Sequence, residues 1–337
     1  MKDIIKTLTE ISSPSGREDT IAEKIVEILD GNFDEYWRDK LGNLIVLKKG
    51  KTGKKVLLDA HMDEIGVVVT NIDENGFLRI EAVGGVNPYT LVGSRVRFQN
   101  NVVGVIGIEG ESFRSSRENM KNLSFDVLFV DIGAKNKEDA LKKVKIGSFG
   151  TYDASFHDLG DKLVSKAMDD RIGCAVMVQL LKELEEPLND VYCVFAVQEE
   201  IGLVGATVAG YDIEPDVVIA IDVTAHGDTP KALKRIPMKL GDGPALKVMD
   251  AYSISDRKVL EFLEELAKKE NIPYQIEILP FGGTDAAAYQ RLKAGVPSAT
   301  VSIVTRYVHT PSEMVDYNDV LNTVKLLKAF VNSEFVF

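Results

Sequence analysis

The sequence predicts an α/β fold: a mostly parallel sheet covered by helices on both faces, with a small β barrel inserted into it. Three observations lead there. Continuous apolar runs at residues 191–198, 216–222 and 298–304 read as strands buried on both faces. Segments with a 3.6-residue apolar period alternate with them, as helical crossovers do in a parallel sheet. From about residue 65 to 163 the texture changes to alternating or β-branched runs broken by glycine-rich turns, the pattern of a separate all-β unit.

The elements follow in order. At 337 residues the chain exceeds a typical single domain. Residues 1–64 and 164–337 are expected to form one α/β domain, with residues 65–163 inserted as the β domain. Helices over 2–12 and 17–30 are split by the breaker Ser12–Gly16. Strands come next at Asn43–Lys48 and Lys55–Ala60, the second running into His61. Inside the inserted region, strands are expected at Ile65–Val69, Arg95–Phe98, Val102–Ile108 and Asp126–Val130, with one helix at Lys137–Lys143. A helix over about 169–185 precedes the two strands 191–198 and 216–222. The chain closes with a helix at about 255–270, strand Tyr274–Leu279, a helix from about 284, strand Ser298–Val304 and a helix from Asn318.

Composition narrows the function. Apolar residues make up 45% and charged residues 27%, an ordinary globular mixture. A formal charge of −12 argues against nucleic acid and anionic membranes as partners. Cys174 and Cys193 lie in apolar patterns without a close pairing, which reads as buried thiols in a reducing compartment. The first ten residues pattern as an amphipathic helix rather than a signal peptide, and no apolar stretch approaches the roughly 20 residues of a membrane span. The expected location is the cytoplasm.

The chemistry-bearing residues sit at the ends of elements. Glu199-Glu200 follows the apolar run 191–198, where two like charges beside a buried strand are costly unless cations or protons compensate. Neighbours on a turning backbone aim apart, so one can be a ligand and the other an untethered base. His61 ends a strand, and Asp63 two residues on points to the same side, suited to orienting a metal-bound imidazole. Asp169-Asp170 opens a helix; helix capping explains the pair as well as ligation does, and the clustering of the other acceptors makes Asp169 a ligand candidate. Asp222 ends the run 217–221, and His309 lies in a loop before the last helix. His157 and His226 have no clear ligand partners in the sequence. Gly282-Gly283-Thr284 turns into a helix, where backbone N–H groups suit a substrate carbonyl or carboxylate, although a capped tight turn explains it equally. Two histidines and four carboxylates are enough for a two-metal hydrolytic centre with one carboxylate left as base.

That ordered set includes His61-x-Asp63, the segment Ala167–Gly173, Gln198–Gly202 and His309–Glu313. It resembles the cytosolic dinuclear-metal aminopeptidases that form tetrahedral (TET) dodecamers, a family in which some relatives carry glutamyl aminopeptidase or endoglucanase labels. The resemblance spans essentially the whole chain and implies a zinc-peptidase-like fold. It implies that Asp169 bridges two divalent ions, that His61 and Asp222 complete one site, and that Glu200 and His309 complete the other. Glu199 would be the general base, Asp63 the residue orienting His61, and Gly282, Gly283 and Thr284 part of the substrate site. Zinc or cobalt is implied as the metal, and the mixed N/O donor set also permits manganese. Short peptides with a free amino terminus are the implied substrates, and assembly into a tetrahedral dodecamer the implied state.

Three other readings compete. A related dinuclear deacylase or carboxypeptidase would share most ligands, but such enzymes commonly carry an α+β lid, whereas this insert reads as β. A glycosidase needs only two carboxylates and leaves both histidines without a role. A scaffold with structural metals would favour closed, cysteine-rich sites, and this set has no cysteine.

Overall fold

The structure, a computed structural model, describes residues 1–110, 120–232 and 234–337. Helices α1 (Lys2–Glu10) and α2 (Asp19–Leu29) lead into strands β1 (Glu35–Arg38), β2 (Leu44–Lys48) and β3 (Lys55–His61). The chain then forms β4 (Gly66–Ile72), β5 (Leu78–Val83), the short helix α3 (Pro88–Leu91), β6 (Arg95–Phe98) and β7 (Val103–Ile108). After these come β8 (Leu128–Asp131), α4 (Lys137–Lys143) and β9 (Phe149–Tyr152). It returns through β10 (His157–Asp158), β11 (Lys162–Ser165), α5 (Met168–Glu183), β12 (Asp190–Ala196), α6 (Val204–Ile213) and β13 (Val217–Thr224). The last third is β14 (Ala245–Met249), α7 (Arg257–Lys269), β15 (Gln275–Ile278), α8 (Ala286–Tyr289), β16 (Ser298–Arg306), β17 (Glu313–Asp316) and α9 (Tyr317–Val331).

Eleven strands share one sheet in the order β1-β2-β12-β3-β13-β16-β17-β11-β10, with β14 joined to β16 and β15 to β14. The centre, β12-β3-β13-β16, is parallel. Antiparallel pairs extend it on both sides. Successive residues of the central strands feed opposite layers, because side chains alternate across a strand. Val56 and Leu58 pack under α1, α2, α5 and α9, whereas Leu57 and Val218 pack under α6 and α8. This two-sided burial makes the central strands continuously apolar in sequence.

Strands β4 to β9 close into a separate barrel in the order β4-β5-β8-β7-β6-β9. Its core is its own, built from residues such as Val67, Leu78, Phe98, Leu128 and Val130. Residues 111–119 of the expected β stretch lie outside the described residues.

Several elements differ from the sequence reading. Helix α6 was not anticipated: Gly205 and Gly210 interrupt any apolar stripe, yet each sits where a side chain would collide. A Cβ at Gly205 would lie 2.4 Å from the Val197 carbonyl, and one at Gly210 2.8 Å from the Tyr289 ring. The helix expected from residue 284 is a single turn, α8. Asp222 is not at a strand end, since β13 continues to Thr224. Asp169 and Asp170 have non-helical backbone within α5, and Asp170 caps the helix that resumes after it, its Oδ1 accepting from Gly173 N at 3.1 Å.

Candidate active site

Parallel neighbours bring their carboxyl ends to one rim, and the candidate residues collect there. In register, His61 of β3 lies beside Ala196 of β12, so the loop that carries Glu199 and Glu200 leaves the sheet next to it. Asp222 comes from β13 on the other side of β3. Asp169 enters from the first turn of α5, and His309 from the loop between β16 and β17.

Asp169 stands at the centre. Its Oδ1 is 3.0 Å from His61 Nε2 and its Oδ2 is 3.2 Å from His309 Nε2. Two donor groups share it: His61, Asp169 and Asp222, then Asp169, Glu200 and His309, with donor atoms in each group within 4.8 Å of one another. Glu199 belongs to neither group; its Oε2 lies 3.9 Å from His61 Nε2.

The surrounding shell holds these groups in place. Asp63 Oδ1 accepts from Glu199 N at 3.0 Å and lies 3.4 Å from His61 Nδ1. Its Oδ2 accepts from Ser15 Oγ at 2.6 Å and Glu200 N at 3.3 Å. One buried carboxylate thus anchors both the imidazole and the Glu199-Glu200 backbone. Glu313 spans the opposite side, accepting from His309 N at 2.7 Å and Asp169 N at 3.0 Å. His309 Nδ1 donates to the Gly85 carbonyl at 2.9 Å, which turns Nε2 toward Asp169 and Glu200.

The electrostatics show an excess of negative charge. Burial, with the Asp169 charge second, pushes the Asp222 carboxyl up to about 8. Burial likewise raises Glu199 well above its ordinary value and raises Glu200. For His309, burial pulls downward but the Asp169 and Glu200 carboxylates prevail, lifting it to about 12. Glu200 Oε1 is buried and accepts no hydrogen bond, although His309 Nε2 is 3.3 Å away. Oxygen and imidazole donors around an orphaned carboxylate oxygen fit divalent cations, which would offset the crowded charge.

The centre opens into a cavity of about 680 Å³. Gly282 and Gly283 line it. Thr284 does not: it is buried, and its Oγ1 pairs with Thr300 Oγ1 at 2.9 Å in the interior. A sequence model of the M42 glutamyl aminopeptidase family matches residues 42–326.

The chain belongs to that family.

The M42 chain is accordingly a peptide hydrolase. It is 38% identical to the lysyl aminopeptidase of Pyrococcus furiosus, over 98% of this chain and 96% of that one. Aminopeptidase APDkam598 from Desulfurococcus kamchatkensis superposes with a TM-score of 0.93 at 40% identity, covering 98% of this chain and 94% of the other. The Pyrococcus horikoshii TET1 peptidase, described as assembling into a tetrahedron or a large octahedral shell, superposes with a TM-score of 0.88 at 33% identity, covering 99% of each chain.

In this M42 enzyme His61, Asp63, Asp169, Glu199, Glu200, Asp222 and His309 all meet at one rim. His157 lies exposed on the edge strand β10, and His226 faces Asp228 at 3.3 Å. Sequence reasoning missed Ser15, Gly85 and Glu18, whose Oε1 accepts from Gln198 N at 3.1 Å. Ser15 lies within the Ser12–Gly16 breaker and Glu18 just after it, a loop signal that could have drawn attention to them. Gly85 gave none, because its partner His309 is 224 residues away.

Proposed function

We propose that the chain is a metal-dependent aminopeptidase that holds two divalent ions and releases N-terminal residues from short peptides. The observation supporting this is Asp169, whose two oxygens face two separate donor groups. On this reading His61, Asp222 and Asp169 hold one ion, and Glu200, His309 and Asp169 the other; zinc, cobalt and manganese all suit the donors. When bound, the ions would supply Lewis-acid polarisation of the scissile carbonyl and lower the pKa of a water.

The chain's own residues do the rest. Glu199, outside both donor groups, takes a proton from the attacking water and returns it to the leaving amine. Asp63 positions it, because the Glu199 backbone N–H is tied to the same carboxylate that faces His61. Gly282 and Gly283 line the cavity, and on this reading their backbone N–H groups would receive a substrate carbonyl. The acidic rim favours a protonated peptide amino terminus, which restricts cleavage to the first residue. We further propose a cytoplasmic enzyme that self-associates into a tetrahedral dodecamer, by analogy with the TET1 relative. No described helix is long and apolar enough to cross a membrane.

The test is hydrolysis of free and N-acetylated aminoacyl substrates with metal supplied or chelated. Metal-dependent cleavage of the free-amine substrates alone is expected. Cleavage of acetylated substrates, or turnover that survives chelation, would overturn the reading.

A further inference from the structure

Beside Asp222 the cavity wall carries a charged cluster that the proposed chemistry does not use. Lys247 on β14 lines the cavity but is only 1% exposed. Its Nζ pairs with Glu277 Oε1 of β15 at 2.8 Å and stands 3.8 Å from Asp250 Oδ2. Glu277 Oε1 also accepts from Thr224 Oγ1 at 2.7 Å. Asp250 Oδ1 accepts from the backbone N–H groups of Tyr252 and Ser253 and from Ser253 Oγ. Both carboxylates are buried and neither is a lining residue, so Lys247 separates them from the cavity.

The same cavity lining includes the apolar residues Leu203, Val223, Leu279, Phe281 and Val308. Arg291, also on the wall, is exposed, and its guanidinium donates to the Tyr252 carbonyl at 3.2 Å. Of the lysine and arginine side chains on this lining, Lys247 is the buried one, and it is already matched by a carboxylate.

Resting on the aminopeptidase reading above, we propose that this wall receives the side chain of the peptide's first residue. It selects uncharged aliphatic or thioether side chains, of the leucine or methionine kind, and the Lys247–Glu277 pair sets that selection. A lysine or arginine head would meet the Lys247 ammonium before reaching either carboxylate. A glutamate head would compete with Glu277 for an ammonium already engaged, leaving one carboxylate unmatched among apolar groups. An apolar side chain displaces water from the wall and leaves the pair intact.

The experiment compares kcat/KM of the metal-supplied full chain on Leu-Ala-Ala, Glu-Ala-Ala and Lys-Ala-Ala. Calorimetric binding of the same three peptides to the Glu199→Gln enzyme runs alongside. The expected result is a preference for Leu-Ala-Ala of about tenfold or more in both readouts, within the range that a single pocket contact supports. Glu277→Gln, which frees the ammonium, raises the Glu/Leu ratio of kcat/KM; Lys247→Met, which uncovers the carboxylates, raises the Lys/Leu ratio. Equal or better use of Glu-Ala-Ala or Lys-Ala-Ala overturns the proposal, as do unmoved ratios in both folded variants. Should either variant fail to fold, the wild-type ranking decides. If the wild type cleaves none of the peptides, the aminopeptidase reading fails on its own, and equal binding of the three peptides to Glu199→Gln would then sink the pocket assignment separately.

Discussion

The α/β part lines the cavity, whereas the barrel reaches it through a contact to His309, and the two contribute different things. The sheet and its crossovers supply side chains: His61, Asp169, Glu199, Glu200, Asp222 and His309. The barrel supplies backbone, through the turn after β5, whose Gly85 carbonyl fixes the His309 ring at 2.9 Å. A Cβ at Gly85 would lie 2.6 Å from that ring. The proposed reacting groups thus sit on elements locked by a large core, and the separately cored barrel holds the His309 ring.

Substitutions can break or sharpen that contrast. The largest effect is expected from Asp169→Ala, which removes the donor common to both groups. Metal content by elemental analysis should fall for both ions, and turnover should drop on the order of 10⁴-fold or more. Glu199→Gln comes next: kcat falls roughly 10²–10⁴-fold while both ions stay bound, since the residue is outside the donor groups. Loss of ions in that variant would place Glu199 among the ligands.

On the barrel side, Gly85→Ala should displace the His309 ring and weaken binding of the ion beside it by about 10–100-fold, with the ion beside His61 little affected. Equal weakening of both would mean that the barrel turn supports the whole centre. Ser15→Ala removes the 2.6 Å bond to Asp63 and should cost about 1 kcal/mol in thermal unfolding, with a few-fold loss of kcat. Smallest is Val105→Ala on the exposed barrel surface, which should stay within about 0.5 kcal/mol of the parent in the same melt and leave turnover unchanged.

The same contrast explains what could be read from sequence. Strands β12, β13 and β16 were legible because burial on both faces leaves a largely apolar run. Acids beside the apolar runs of β12 and β13 stood out, which drew attention to Glu199, Glu200 and Asp222. Helix α6 escaped because its glycines answer to neighbours distant in sequence, the Val197 backbone and Tyr289. Thr284 was misplaced because a Gly-Gly-Thr turn does not reveal which way its side chain faces. Gly85 and Lys247 were silent for a related reason. Their partners, His309 and Glu277, are brought to them only by the assembled fold.

The central claim is that two ions held around Asp169 carry the chemistry, and metal titration tests it most directly. Metal-free protein would be titrated with zinc or cobalt while bound ions per chain and cleavage of a free-amine peptide are followed together. Turnover that rises until two ions are bound per chain is the predicted result. Full turnover with one ion or none, or two bound ions without cleavage, would contradict it.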